Sequence, residues 1–511
     1  MQRRALLRGA AFLPVAVLAP ELLRNHDASV AETIAPIPGA GRFDASVVKR
    51  IARELAAKPY AAPDAKLPDN LGKLTYDQYR TIRFDPAHAL WHGGKLPFEV
   101  QFFHRGFLYN DRVDIFEVAD GQAQPVRYKP ELFDLAGLPA NAAAGFGDLG
   151  FAGFRIHAAF NRADYADEVC VFLGASYFRA VGKNQGYGLS ARGLSIKTGD
   201  PGGEEFPSFR SFWLERPQAD SRAMVIHALL DSPSAAAAYR FTIRPGEETI
   251  FDVEMTLYPR VDLDQAGIAA TTSMFYFDAS GRVGIDDYRR AVHDSDGLLM
   301  WSGRGEQVWR PLANPKTLQR SEFGDTGLRG FGMMQRKRRF ADYDDLEAHY
   351  ERRPSLWIEP IGDVGDGAVH LVEIPTRGEV DDNVVAFWRP KQKLAAHGEY
   401  GFTYRQHWCN DMPLAGELAR FTDTRSGAGN AQGNRRFVLE VTGGSKLKTL
   451  PADAEPKLEA SATPGKIINP VVQRNPETGG WRVNFELAPG AEKLVELRVR
   501  LAGDPDPLSE T

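Results

Sequence analysis

Two groups of acidic residues are placed to move protons. Asp294 and Asp296 stand two apart within Val292–Leu298, and Glu379, Asp381 and Asp382 lead into an apolar run from Asn383 to Trp388. Carboxyl groups at strand ends or in loops can act as a proton donor and a base. Crowding raises the pKa of one of them, which an acid working near neutral pH requires. Asp381, Asp382 and Asn383 are equally good turn formers, so residue types alone leave a turn and an acid site both open.

Other candidate motifs fail on context. Gly145–Gly150 matches G-x-G-x-x-G, but no strand leads into it and a strand-like stretch, 151–157, follows, so it lacks the strand-turn-helix setting of a phosphate cradle. His88 and His92 have metal-ligand spacing without an H-E-x-x-H, and Trp91 between them favours packing. Asp294 and Asp296 alone are a weak calcium signal. There is no G-x-S-x-G elbow. The two cysteines, Cys170 and Cys409, exclude a disulfide scaffold and a Cys-rich metal site, and read as buried thiols or one bridge.

The elements that must position the acids read as β-structure. Apolar and β-branched runs, separated by Gly, Pro and Asp turns, predict strands at 98–103, 112–118, 169–173, 239–243, 249–257, 369–374 and 383–388. No βαβ spacing recurs, which argues for antiparallel sheets packed as a sandwich. Val47, Val48, Ile51 and Leu55 predict a helix capped by Asp44 or Ser46. A second helix is predicted over 343–352, with Asp342 as cap and Pro354 as stop. After residue 390, strands at 400–405, 436–441, 481–487 and 494–501 predict a small β-sandwich over 396–505, with 423–434 as a mobile loop.

Arg3 and Arg4, followed by an apolar run from Ala10 to Leu18, predict a twin-arginine export signal within 1–30 and a periplasmic address, with a linker over 24–42. Pro14 and Pro20 interrupt that run, so no stable membrane span is expected once the signal is removed. The 511-residue chain carries 62 Lys+Arg against 67 Asp+Glu, and this balance offers no basic field for nucleic acid. Its 8 Trp and 16 Tyr suit both a β core and a site that stacks on sugars.

Longer strings are more specific than any of these motifs. They are Tyr76–Arg80, Gly153–Arg155, Gly174–Ile196 (GASYFRAVGKNQGYGLSARGLSI), Gly203–Pro207, Leu230–Ser234, Val292–Leu298, Trp309–Leu312, Glu351–Trp357, Val372–Pro375 and Asp382–Trp388. Together they closely resemble the OpgG/OpgD (MdoG/MdoD) family of periplasmic glucan biosynthesis proteins, from about residue 43 to the C-terminus. The twin arginines favour the D type.

The resemblance implies a mostly β chain: a large galactose-mutarotase-like β-sandwich over 42–390, then an immunoglobulin-like β-sandwich. It implies an anomer-inverting endo-β-1,2-glucanase that trims or controls glucan backbone length. A β-1,2-glucan transglycosylase and a non-catalytic glucan-binding or assembly protein are the alternatives. Asp382 matches the general acid. Asp294 matches a base acting through a relay of waters, with Asp296 equally placed and His293 able to organise either. Glu379 and Asp381 are expected to supply the field that raises Asp382. Tyr350 matches a position near the glucan, and Glu379, Trp357 and Arg192 are further substrate-contacting candidates, with Trp388, Tyr177, Tyr187 and Arg179 behind them. Carboxylates suffice for this chemistry, so no metal or cofactor is expected. The partner is β-1,2-linked glucan, and a homodimer is kept as a candidate assembly. Two stretches depart from the family: Gly267–Ala270, where relatives often carry Pro-Leu, and Asp363–Gly365, where they commonly place a Trp before Gly. A missing Trp there would remove a stacking platform.

Overall fold

The computed structural model describes residues 39–138, 147–412, 416–451, 454–503 and 506–511. The export signal, most of the preceding linker and part of the glycine-rich motif at 145–150 lie outside them. The chain is mostly β. A 12-stranded sheet runs from Gly41–Arg42 at one edge, through Ser208–Glu215, Met224–Asp231, Ala235–Arg244, Thr249–Pro259, Tyr400–Cys409 and Ser355–Pro360, to Gln307–Pro311 at the other. A 10-stranded sheet orders Gln319–Thr326, Asp366–Glu373, Val384–Pro390, Ala266–Ser273, Ser190–Arg192, Tyr177–Ala180, Tyr165–Leu173, Gly153–Arg162 and Phe98–Phe103, with Ser195–Ile196 paired beside them. Antiparallel pairing dominates; Asp114–Ala119 and Ser208–Glu215 run parallel.

The two large sheets face each other across an aromatic core. Phe172 and Phe178 of one meet Phe212, Phe241 and Phe251 of the other, with Phe178 stacked on Phe251 at 5.8 Å. Alternation along each strand sends every second side chain into this core. Burying each ring removes about 150–250 Å² from water, so the interlock is the main force fixing the sheets. The helix Ala45–Ala56 forms as expected, with Asp44 accepting from the Ser46 N–H at 2.8 Å. It lays Val48, Ile51 and Ala52 on the back of the 12-stranded sheet, over Ala236 and Ala238.

Three expectations are corrected. The strand Tyr400–Cys409, expected to open the small sandwich, lies inside the 12-stranded sheet between Thr249–Pro259 and Ser355–Pro360. Tyr404 and Trp408 recur at alternating positions and both enter the large core. The expected helix over 343–352 does not form: a 3-10 turn, Phe340–Asp342, precedes it and a second, Tyr350–Arg352, closes it. Asp345 takes the N–H groups of Glu347 and Ala348, and His349 adopts a left-handed φ of 46°, which breaks helical propagation. Within 423–434, residues up to Ala428 extend the strand Ala419–Ala428.

The small unit pairs Ala419–Ala428, Arg435–Gly443, Gly480–Ala488 and Lys466–Asn475 in one sheet and Lys457–Thr463 with Glu496–Ala502 in another. Phe421, Val441, Trp481 and Phe485 share a core with Leu299, Trp309, Met334 and Trp357 of the large sheet. The buried Arg336–Glu510 ion pair crosses the same junction. Cys170 and Cys409 are both free and buried. No helix among the described residues is long and apolar enough to cross a membrane.

Candidate functional site

The site is built on four neighbouring strands of the 10-stranded sheet: Val384–Pro390, Ala266–Ser273, Ser190–Arg192 and Tyr177–Ala180. Phe178, Ala191, Val384 and Ala386 face the core. Alternation then puts Tyr177, Arg179, Ser190, Arg192 and Thr272 on the opposite face. Ser190 pairs with Thr272, and Thr272 with Val385, so the row ends beside Asp382. The register against Val384–Pro390 slips between Ile268 and Thr271, with Ala269 at φ 52°, and this bulge re-aims the strand just before Thr272.

Arg179 donates from Nε to Ser190 Oγ at 2.6 Å and from a terminal nitrogen to Asp382 Oδ2 at 3.4 Å. Arg192 donates to Thr272 Oγ1 at 2.9 Å, pairs with Glu204 and lies 4.8 Å from the Tyr177 ring centre. The Asp382 side chain is 1% exposed, and its Oδ1 has no hydrogen-bond partner among the described residues. Burial pushes the carboxyl up to about 7; the Asp294 charge adds to this, against the pull of Arg179, Arg192 and Arg353.

Asp294 comes from a separate loop. Phe275–Phe277 pairs with Val292–His293, and the Asp294 N–H donates to the Met274 carbonyl at 2.8 Å. Its Oδ1 accepts from the Arg353 guanidinium. Arg353 lies 4.2 Å from the Tyr350 ring centre, and its side chain runs past Gly188, where any Cβ would stand 2.8 Å from its own. Tyr350 is buried, and its hydroxyl donates to Glu379 Oε2 at 2.7 Å. Glu379 also takes Arg289 at 2.6 Å.

The structure therefore brings Asp382, Asp294, Tyr350, Glu379 and Arg192 into one linked group. Asp296 points elsewhere, its carboxylate accepting from the Arg336 N–H at 3.1 and 3.2 Å. Burial raises its pKa, with Lys337 and Arg336 opposing. His293 organises neither aspartate: its ring stacks on Phe275 at 5.4 Å, and neither ring nitrogen bonds Asp294 or Asp296. Glu379 and Asp381 do not set the field at Asp382 as expected. Asp381 bonds Thr376 Oγ1 at 3.2 Å, and Asp294 is the acid whose charge adds to burial.

Trp357, expected on the sugar, is 1% exposed in the core shared with the small unit, where Gly330 leaves room for its indole. Trp388 is likewise a core residue. The Tyr177 hydroxyl is buried and has no hydrogen-bond partner among the described residues, and Tyr187 is buried beside Glu168. Val364, in the stretch where the family resemblance implied a Trp, lines a groove of about 570 Å³ with Tyr400 and Phe402, and Asp382 is not part of that lining. His88 bonds Asp85 and His92 bonds Glu99, and no group of three metal-ligating side chains occurs among the described residues.

Sequence reasoning missed Arg353, Gly188, Asn383 and Arg289. The first three lie within the long strings, with Arg353 directly before Pro354, the expected helix stop; Arg289 lies outside those strings.

The family model described as periplasmic glucan biosynthesis protein, MdoG, matches residues 43–511. Glucans biosynthesis protein G of Bradyrhizobium diazoefficiens is 55% identical over 514 residues, covering 100% of this chain and 98% of that protein. The protein of the same name from Rhodopseudomonas palustris (strain BisA53) is 55% identical over 510 residues, with the same 100% and 98% coverage. That of Shewanella sp. (strain MR-4) is 50% identical over 465 residues, 90% of this chain and 84% of its own length. These relatives carry the G designation, whereas the twin arginines pointed to the D type. A glycoside hydrolase family 81 structure from Clostridium thermocellum aligns at 8% identity and TM-score 0.16, over 91% of this chain and 40% of that one, too distant to bear on fold or chemistry. The chain belongs to the MdoG family of periplasmic glucan biosynthesis proteins.

Proposed function

We propose that the chain is an exported periplasmic hydrolase of β-1,2-glucan, with Asp382 as general acid and Asp294 as general base. The observation that carries this reading is the state of Asp382. Its carboxyl is pushed up to about 7, so it keeps a share of its proton at neutral pH, and its buried Oδ1 has no hydrogen-bond partner among the described residues. A glycosidic oxygen would supply the missing acceptor. The β-1,2 linkage and the inverting course come from the family resemblance.

In the reaction, Asp382 transfers its proton to the leaving oxygen as the bond to the anomeric carbon breaks. Water adds to that carbon from the opposite face, and its proton passes to Asp294, directly or along a water relay. Arg353 holds Asp294, and Tyr350 with Glu379 flanks that ion pair. The test is incubation of the purified protein with linear β-1,2-glucan, followed by chromatography. Shorter oligosaccharides are expected. Cyclic or rearranged products would replace hydrolysis with chain transfer, and unchanged glucan would contradict an enzyme.

A further inference from the structure

The four most exposed large apolar side chains among the described residues are Val283 and Tyr288, each 78% exposed, Leu346 at 75% and Val380 at 65%. They come from three segments, and one arginine joins all three. Arg289 binds Asp287 at 2.8 Å, Asp345 at 2.9 Å and Glu379 at 2.6 Å. Tyr288 precedes that arginine, Leu346 follows Asp345 and Val380 follows Glu379. Arg282 closes the loop by donating to the carbonyls of Asp287 and Arg289, and Arg290 pairs with Asp344 at 3.4 Å. The Arg289 side chain is only 13% exposed, so the hub is largely buried between the segments that carry the exposed apolar side chains. Through Glu379 the hub reaches Tyr350, and through Tyr350 the Arg353–Asp294 pair. The segments that carry these side chains are thus joined to the candidate site, as a rim, by that chain of contacts.

A cluster of exposed apolar side chains beside a site marks a contact surface. We propose that this rim is an outer subsite for the glucan chain, with the Tyr288 ring against the C–H face of a sugar and Val283, Leu346 and Val380 extending the contact. The proposal rests on the glucan-cleaving reading of Asp382 and Asp294. Size and continuity favour glucan over a second copy of the chain. Four side chains offer a few hundred Å², below the ~800 Å² per partner of a stable protein interface. The Arg289 hub also links the patch to the site, through Glu379 and Tyr350.

The test is affinity electrophoresis of Asp382→Asn protein, which cannot shorten its ligand, in linear β-1,2-glucan of long and short chain length. Long chains should bind at least tenfold tighter than short ones. Adding Tyr288→Ala should remove most of that difference, and Tyr288→Trp should keep it. Length dependence that survives Tyr288→Ala would overturn the subsite and leave the hydrolase reading intact. No binding by any of these proteins would overturn both. Unaltered glucan binding with a changed sedimentation coefficient would assign the patch to a second copy and overturn the proposal.

Discussion

Asp294 and Asn383 hang from the same peptide unit. The Met274 carbonyl accepts from the Asp294 N–H, and the Phe275 N–H donates to Asn383 Oδ1, both at 2.8 Å. Asn383 also donates to the Ile374 carbonyl at 2.9 Å, which pins the residue directly after Asp382. One rigid amide thus sets where the two carboxylates stand relative to each other.

Replacing Asn383 with Ala should therefore do more than cost stability. It strands the buried Phe275 N–H, at a cost of about 1–3 kcal/mol, leaves the part-buried Ile374 carbonyl without this donor, and frees the turn that carries Asp382. Denaturant unfolding should show the first effect. A fall in kcat larger than that of an equally destabilising core variant should show the second.

The raised pKa of Asp382 has a signed consequence for stability. The folded state keeps a proton up to about pH 7 that the unfolded chain releases near its ordinary value of 3.8. Between those pH values the native state binds more protons, so stability falls as pH rises through the window, by up to about 4 kcal/mol for a fully buried carboxyl. Asp382→Asn removes this cost. Its melting temperature should exceed that of wild type at pH 8, and the gap should close on going to pH 4. Parallel curves at both pH values would mean that Asp382 is ionised in the folded protein.

Gly188 is a sensitive position because the Arg353 side chain runs across it. A Cβ at 2.8 Å from that of Arg353 must shift one of the two backbones, since neither Cβ can rotate away, and Arg353 holds Asp294. Gly188→Ala should lower kcat at least tenfold while far-ultraviolet circular dichroism stays native. Unchanged turnover would mean that the Arg353–Asp294 pair tolerates displacement.

Tyr350 and Trp357 should separate cleanly. Tyr350→Phe deletes only the hydroxyl that binds Glu379 and leaves the ring beneath Arg353, so the loss should appear in turnover, about tenfold or more, with little change in melting. Trp357→Ala empties part of the core shared with the small unit and should cost about 3–5 kcal/mol without a selective effect on glucan binding. Calorimetry on both variants, beside kinetics, distinguishes these roles.

Much of this was legible from residue pattern. The strands announced themselves through β-branched and aromatic runs, and Asp44 or Ser46 marked the helix start, Asp44 proving to be the cap, because alternation and capping are local. Tyr400–Cys409 was misassigned because a strand's pattern says which residues are buried but not which sheet buries them. The expected helix at 343–352 failed because Asp345 and His349 settle their backbone bonds within the turn. At the site, Asp382 and Asp294 stood out as acids, but Arg353, Gly188 and the Met274–Phe275 amide act through contacts far apart in sequence. Trp357 shows the converse: a sugar-stacking residue type inside a long family-like string can still be core.

The most direct test of Asp382 as the proton donor is the pH profile of β-1,2-glucan cleavage by wild type beside Asp382→Asn. Wild-type kcat/KM should fall above about pH 7 as the acid ionises, and the variant should retain less than a thousandth of the activity at every pH. A variant that cleaves at a comparable rate, or a wild-type profile still rising beyond pH 8, would contradict the assignment.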